Sequence, residues 1–91
     1  MTSATTFVGI DIAKADFVVA CRPDGATWTA TNDATGISAT RERVRRLSPT
    51  LIVLEATGGY ENPLVAALAS AGLPVVVANP RHVRNFARAA G

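Results

Sequence analysis

The chain has 91 residues and a formal net charge of +2. That length holds one core and leaves no room for two, since independent cores usually need about 100 residues each. With 48% hydrophobic and 18% charged residues it is not a disordered chain, which combines low hydrophobicity with high net charge. Met1 to Thr6 lack the basic and apolar character of a secretory leader, and no apolar run reaches the roughly 18 residues of a membrane span. Cys21 stands alone and makes no internal disulfide, so the expected setting is the cytoplasm. Phe7, Phe17, Trp28, Tyr60 and Phe86 are the only aromatics, so Val, Ile, Leu and Ala must fill the core, which suits a sheet covered by helices.

Alternation from Phe7 to Ala13 predicts a strand with Val8, Ile10 and Ile12 on one face and Phe7, Gly9, Asp11 and Ala13 on the other. A second strand is expected from Phe17 to Arg22. Pro23, Asp24 and Gly25 then form a turn into a third strand, Thr27 to Thr31, completing an antiparallel meander. Asn32, Asp33 or Thr35 caps a helix running to Leu47, whose Ile37, Val44 and Leu47 share a face, and Pro49 closes it. Leu51 to Leu54 is apolar on both faces, as in a strand buried from both sides, and ends in Glu55. The Gly58-Gly59 turn leads to a helix from Tyr60 or Pro63 to Ala71, stopped by Gly72, and Pro74 to Ala78 makes another apolar strand. Asn79 and Pro80 open a last helix that still reads as helix at Gly91, so the expected domain is truncated.

Three strands in a meander followed by alternating helices and strands is the order of ribonuclease H-like α/β domains: a mixed sheet with parallel strands after the meander and helices on both faces. A Rossmann domain alternates from its first strand and does not begin with a hairpin. In this arrangement the fourth strand returns beside the first and brings Asp11 and Glu55 onto neighbouring strands. A carboxylate within a buried central strand costs several kcal/mol unless it is paired, hydrogen-bonded or metal-bound. Two oxygen ligands from adjacent strands are what Mg²⁺ takes, together with water and phosphate oxygens. Two such ions about 4 Å apart can serve the attacking and leaving oxygens of a phosphodiester, chemistry that usually draws on a third or fourth carboxylate.

Taken singly, either acid reads as a loop cap or an arginine partner; together, in this strand order, they read as ion ligands. The other acids have plainer roles: Asp16 and Asp24 in turns, Asp33 as a cap, Glu42 on a solvated helix face, Glu61 as an ornament of a helix N-terminus. Gly58 and Gly59 would let a phosphate backbone approach, with Thr57 as a donor, and a bare tight turn is the plain alternative. Tyr60 suits stacking on a base or sugar, or simply a half-buried helix start. Arg81, Arg84 and Arg88 share one helix face opposite Val83, Phe86, Ala87 and Ala90, which suits phosphate tracking as well as plain solubility. Arg41, Arg43, Arg45 and Arg46 fan around their helix and read as solvated. His82 has no second metal-ligating neighbour in sequence, so zinc is not expected. Lys14, three residues after Asp11, is placed to reach a phosphate or to balance the acids.

Three pieces of the chain resemble the N-terminal part of DEDD transposases of insertion-sequence family 110, relatives of the Piv and MooV DNA invertases. They are Val8-Gly-Ile-Asp-Ile-Ala-Lys14, Leu54-Glu-Ala-Thr-Gly-Gly-Tyr60 and Asn79-Pro-Arg-His-Val-Arg-Asn-Phe-Ala-Arg-Ala-Ala-Gly91, in order and spread over nearly the whole chain. The resemblance implies a RuvC-like ribonuclease H fold whose four acidic residues bind Mg²⁺ or Mn²⁺ for DNA strand cleavage and exchange, with Asp11 and Glu55 as the first two catalytic and metal-binding residues. It implies a bacterial cytoplasmic protein, a homo-oligomer that holds DNA, and a structured bridge RNA as guide. It also implies a second acidic pair in a Lys-x-Asp-x-x-Asp-like stretch after Gly91 and a C-terminal domain bearing a catalytic serine. With those absent, the 91 residues are expected to be catalytically inert and at most to bind a divalent ion weakly. Two other readings compete. An actin-like sugar kinase lobe also begins with a meander and a strand Asp, but its phosphate loop wants Gly and then Ser or Thr where Ala13 and Ala15 stand. A non-catalytic module would bind nucleic acid or its own oligomer through the Arg81, Arg84 and Arg88 face.

Overall fold

The computed structural model describes residues 5–79. In chain order its elements are β1 (Phe7–Ile12), β2 (Asp16–Arg22), β3 (Thr27–Thr31), α1 (Ala34–Leu47), β4 (Leu51–Glu55), α2 (Asn62–Ser70) and β5 (Val75–Ala78). The five strands form one sheet in the order β3-β2-β1-β4-β5. The first three pair antiparallel, because short turns join them, whereas β1–β4 and β4–β5 are parallel and need the crossovers that α1 and α2 supply. β1 is therefore central, with β2 on one side and β4 on the other. This is the mixed α/β arrangement expected from the element order.

Local chemistry sets the ends of the helices. The Asp33 carboxylate accepts from the backbone N–H of Gly36 at 2.8 Å and from the Thr31 hydroxyl at 2.9 Å, so Asp33 is the cap chosen from the three candidates. Gly36 is required by close approach: a Cβ there would overlap the Thr31 carbonyl of β3. At the other end Ser48 takes a left-handed conformation, φ 47°, and Pro49 follows. α2 starts with Pro63 in its first turn, and Gly72, at φ 76°, turns the chain after the cap residue Ala71.

Both helices pack on one face of the sheet, where a single cluster joins Val8, Ile10 and Ile12 of β1, Phe17, Val19 and Cys21 of β2, Ile52 and Leu54 of β4, Ile37 and Val44 of α1, and Leu64 and Leu68 of α2. All of these are buried, and large side chains such as Phe17, Leu64 and Leu68 each contribute roughly 1.5–3 kcal/mol by leaving water. The alternation read from β1 is the one observed. The reading of β4 needs correction: Ile52 and Leu54 are buried, but Leu51 and Val53 are only half-buried, because among the described residues nothing covers the second face. Among the described residues the expectation of helices on both faces is not met, since α1 and α2 share one face; the helix expected from Asn79 onward falls on residues 80–91, outside the described residues.

Candidate metal and nucleic-acid site

The β1–β4 ladder pairs Val8 with Ile52, Gly9 with Val53 and Ile10 with Leu54. One residue further on, Asp11 comes level with Glu55. Partners across a parallel ladder share a face, so both carboxylates stand on the side of the sheet away from the helices. The strand spacing of about 4.8 Å and the extra methylene of Glu allow the two groups to converge. Two neighbouring oxygens on one Mg²⁺ lie only about 3 Å apart, which follows from its ligand distance of about 2.1 Å and octahedral geometry.

Both acids are exposed. This corrects the expectation of a buried carboxylate needing compensation: the uncovered face leaves Asp11 in contact with water, so desolvation does not explain its presence. Among the described residues neither acid pairs with an arginine: the ion pairs there both belong to Glu42, with Arg41 at 3.3 Å and Arg45 at 3.1 Å. The two acids border a shallow concavity of about 540 Å³, shared with Gly9, Val18, Ala20 and Val53. Small side chains make this hollow, and at Gly9 a Cβ would meet nothing within 4 Å. An all-oxygen pair of carboxylates open to solvent suits a hard cation that keeps water and phosphate in its remaining positions. Among the described residues no cluster of three or more His, Cys, Asp or Glu is placed to hold an ion.

The loop after Glu55 is organised by a residue whose role the sequence did not disclose. Glu61 is buried, and its Oε1 accepts from the backbone N–H of Thr57 at 2.9 Å, the Thr57 hydroxyl at 2.8 Å and the backbone N–H of Gly59 at 3.1 Å. These bonds, the Thr57 N–H foremost, hold the Glu61 carboxyl down at about 2. The expectation of Thr57 as a phosphate donor is corrected accordingly: its donors, and that of Gly59, already serve a carboxylate within the loop. Gly58 and Gly59, at φ 80° and 119°, supply the backbone turn that brings these donors together. Gly58 and Tyr60 are exposed beside it, and Lys14 is exposed in the turn after β1. The spacing Thr-Gly-Gly-x-Glu was the available signal, a donor and two turn formers just before an acceptor.

The remaining acids behave largely as read. Asp24 accepts from Ala26 N–H at 3.0 Å in the β2–β3 turn, and Asp16 begins β2. The Gly36 N–H, then the Thr31 hydroxyl, hold Asp33 below the usual carboxylate range, and hydrogen bonding and charge from Arg45 do the same for Glu42. Three of the four α1 arginines are more engaged than a merely solvated face requires: Arg41 and Arg45 bond Glu42, and the Arg43 guanidinium sits 3.8 Å from the Trp28 ring centroid. Arg81, His82, Arg84 and Arg88 lie outside the described residues. No helix among the described residues is long and apolar enough to cross a membrane.

Residues 8–90 match the family model for DEDD transposases of insertion-sequence family 110, described as a transposase. No curated protein sequence matches. Among solved structures, the chain is similar to T. thermophilus RuvC in complex with a Holliday junction substrate, at TM-score 0.63 and 14% identity, covering 90% of this chain and 69% of that one. At that identity the likeness establishes the fold alone. A weaker similarity, TM-score 0.45 and 18% identity over 84% of this chain and 37% of the other, is to the ethanolamine utilization protein EutJ from Carboxydothermus hydrogenoformans.

Proposed function

Because the chain belongs to the DEDD transposase family of insertion-sequence family 110, we propose that residues 1–91 form the N-terminal part of a RuvC-like catalytic domain acting in DNA strand cleavage and exchange. Asp11 and Glu55 are its first two acids and hold Mg²⁺ or Mn²⁺. The observation that carries this reading is the β1–β4 register, which sets two acids 44 positions apart in sequence side by side on one open face. Asp11 and Glu55 would hold the ion, which would supply Lewis-acid stabilisation to a reacting oxygen of a phosphodiester.

The chain's own residues bind and orient. Asp11 and Glu55 offer carboxylate oxygens into the hollow above Gly9, Val18 and Ala20, which among the described residues is lined by no aromatic side chain. Lys14 supplies a positive charge near that approach, and Tyr60, exposed beside the Glu55 loop, offers a ring to a base or sugar. The Thr57 to Gly59 segment acts through shape rather than donation, since Glu61 holds its donors. Arg81, Arg84 and Arg88 track the DNA backbone, by charge and bidentate geometry. A RuvC in complex with a Holliday junction among the similar structures supports DNA as the partner. The family further suggests a homo-oligomer, a structured guide RNA and a cytoplasmic location.

The other five acids of the chain are Asp16, Asp24, Asp33, Glu42 and Glu61, none of which clusters with the pair among the described residues, and the family suggests a second acidic pair supplied by further sequence. Strand exchange by a protein carrying that sequence is expected to fall at least about a hundredfold in Asp11→Asn or Glu55→Gln, with DNA binding retained, in keeping with the size of the electrostatic contributions at such sites. The 91 residues alone are expected not to nick DNA. Full strand exchange by the Glu55→Gln protein refutes the assignment, and robust Mg²⁺-dependent nicking by the isolated chain refutes its inertness.

A further inference from the structure

Asn32 stands between β3 and the cap residue Asp33, and its side-chain amide takes no part in capping. Its Nδ2 carries two hydrogens and donates to two carbonyls: Ala13 at 3.1 Å and Tyr60 at 3.0 Å. Ala13 lies two residues beyond Asp11 and Tyr60 five beyond Glu55. One side chain from a third element therefore ties together the loops that leave the two acid-bearing strands. The backbone N–H of Asn32 adds a bond to the carbonyl of Ala15 at 2.9 Å, which holds it against the first of those loops.

The location of this tie matters because the β1–β4 register ends at Ile10 and Leu54, one residue short of the acids. Asp11 stays paired with Val18 of β2 and Glu55 with Ala78 of β5, but beyond Ile10 and Leu54 no ladder pair joins β1 directly to β4, so their separation there is open to other constraints. Each tied loop is itself closed, the first by the Ala13 N–H to the Asp16 carbonyl at 2.8 Å and the second by the three bonds to Glu61. A tie between two closed loops transmits position, whereas one between slack segments does not. Asparagine suits the task chemically: its planar amide presents two donors in a fork, and aspartate of the same shape would set acceptor oxygens against the two carbonyls.

We propose that Asn32 is a positioning residue that fixes the separation of Asp11 and Glu55 by tying their loops, and so sets the affinity of the pair for a divalent cation. The metal part of this inference rests on the reading of Asp11 and Glu55 as ion ligands; the tie itself does not. The test uses the 91-residue chain as wild type, Asn32→Asp, Asn32→Ala, Asp11→Asn and Glu55→Gln. Mn²⁺ affinity is measured from the free-ion electron paramagnetic signal, alongside thermal midpoints, amide shifts and exchange of the Asn32 side-chain protons. In the wild type those protons are expected to exchange more slowly than those of a free asparagine amide. Both Asn32 variants should bind Mn²⁺ at least about fivefold more weakly while still unfolding cooperatively, with residues 13–15 and 56–60 shifting together. The Asn32→Asp result is the diagnostic one, because an added carboxylate acting by charge alone would strengthen cation binding. Unchanged or tighter Mn²⁺ binding in Asn32→Asp, with Asp11→Asn still disruptive, overturns the positioning role and leaves the metal site standing. If Asp11→Asn and Glu55→Gln leave Mn²⁺ affinity unchanged, the metal reading fails, and with it the proposed control of affinity. Freely exchanging Asn32 protons, or loops that do not move together in Asn32→Ala, overturn the tie even where Asn32→Asp does not fold.

Discussion

The two faces of the sheet are written in the same strands, one residue out of step, and have opposite fates. On one face Val8, Ile10, Ile12, Phe17, Val19, Ile52 and Leu54 are covered by α1 and α2 and have lost nearly all contact with water. On the other, Phe7, Val18 and Val76 stay 43–48% exposed, and Asp11 and Glu55 share their side. The covered face holds the fold together, and the open face carries the two acids proposed as ion ligands. Because the pleat has period two, a residue's parity along β1, β2 and β4 decides which of these jobs it does, whereas in the edge strand β5 Val77 shares the covered side and is still 42% exposed.

This division predicts that the largest stability losses come from the covered side. Phe17→Ala or Leu68→Ala should cost about 3–5 kcal/mol, enough to leave a domain of this size largely unfolded, whereas Val18→Ala or Val76→Ala should cost under about 1 kcal/mol in denaturant titrations. Comparable losses on both sides contradict the division. Gly36→Ala comes next, at about 1–3 kcal/mol, because the new methyl group collides with the β3 backbone. A silent Gly36→Ala shows that the α1–β3 contact yields more easily than described. Asp11→Asn and Glu55→Gln should change stability by no more than about 0.5 kcal/mol, since these exposed acids lack arginine partners among the described residues.

The smallest expected effect is local and pH-dependent. Glu61 titrates at about 2 against an ordinary 4.5, so the folded loop favours its charged form. Its stabilising contribution is complete above the ordinary value and is lost as pH falls from there through the folded value. Amide exchange at Thr57 and Gly59 should therefore stay slow at pH 5 and accelerate toward pH 2, ahead of the core strands. A Glu61→Gln variant should show the loosened loop already at neutral pH. Exchange at Thr57 that is indifferent to both changes counts against Glu61 as the organiser of the Glu55 loop.

Much of the fold could be read from the residues themselves. Alternation assigned the two faces of β1, and the order of elements placed β4 beside it, which brought Asp11 and Glu55 together on paper. What could not be read was context. Leu51 to Leu54 is apolar at every position, and nothing in such a run says which face has a partner. Asn32 and Asp33 are equally good caps by type, and only the geometry of the β3–α1 junction gives the cap to Asp33 and frees the Asn32 amide to reach two distant carbonyls. Glu61 looked like a helix-start acid because its partners exist only after Gly58 and Gly59 bend the backbone toward it. Local patterns report periodicity well; they do not report bonds that form only when remote loops meet.

The central claim, that Asp11 and Glu55 share one divalent ion on the open face, is tested most directly by the paramagnetic footprint of Mn²⁺ on the amide resonances of this chain. The account predicts that substoichiometric Mn²⁺ first broadens Asp11, Glu55 and their cross-strand neighbours Val18 and Ala78, and that Glu55→Gln abolishes this pattern. Broadening that centres on Glu42 or Asp33 instead, or a footprint at Asp11 that survives Glu55→Gln unchanged, contradicts it.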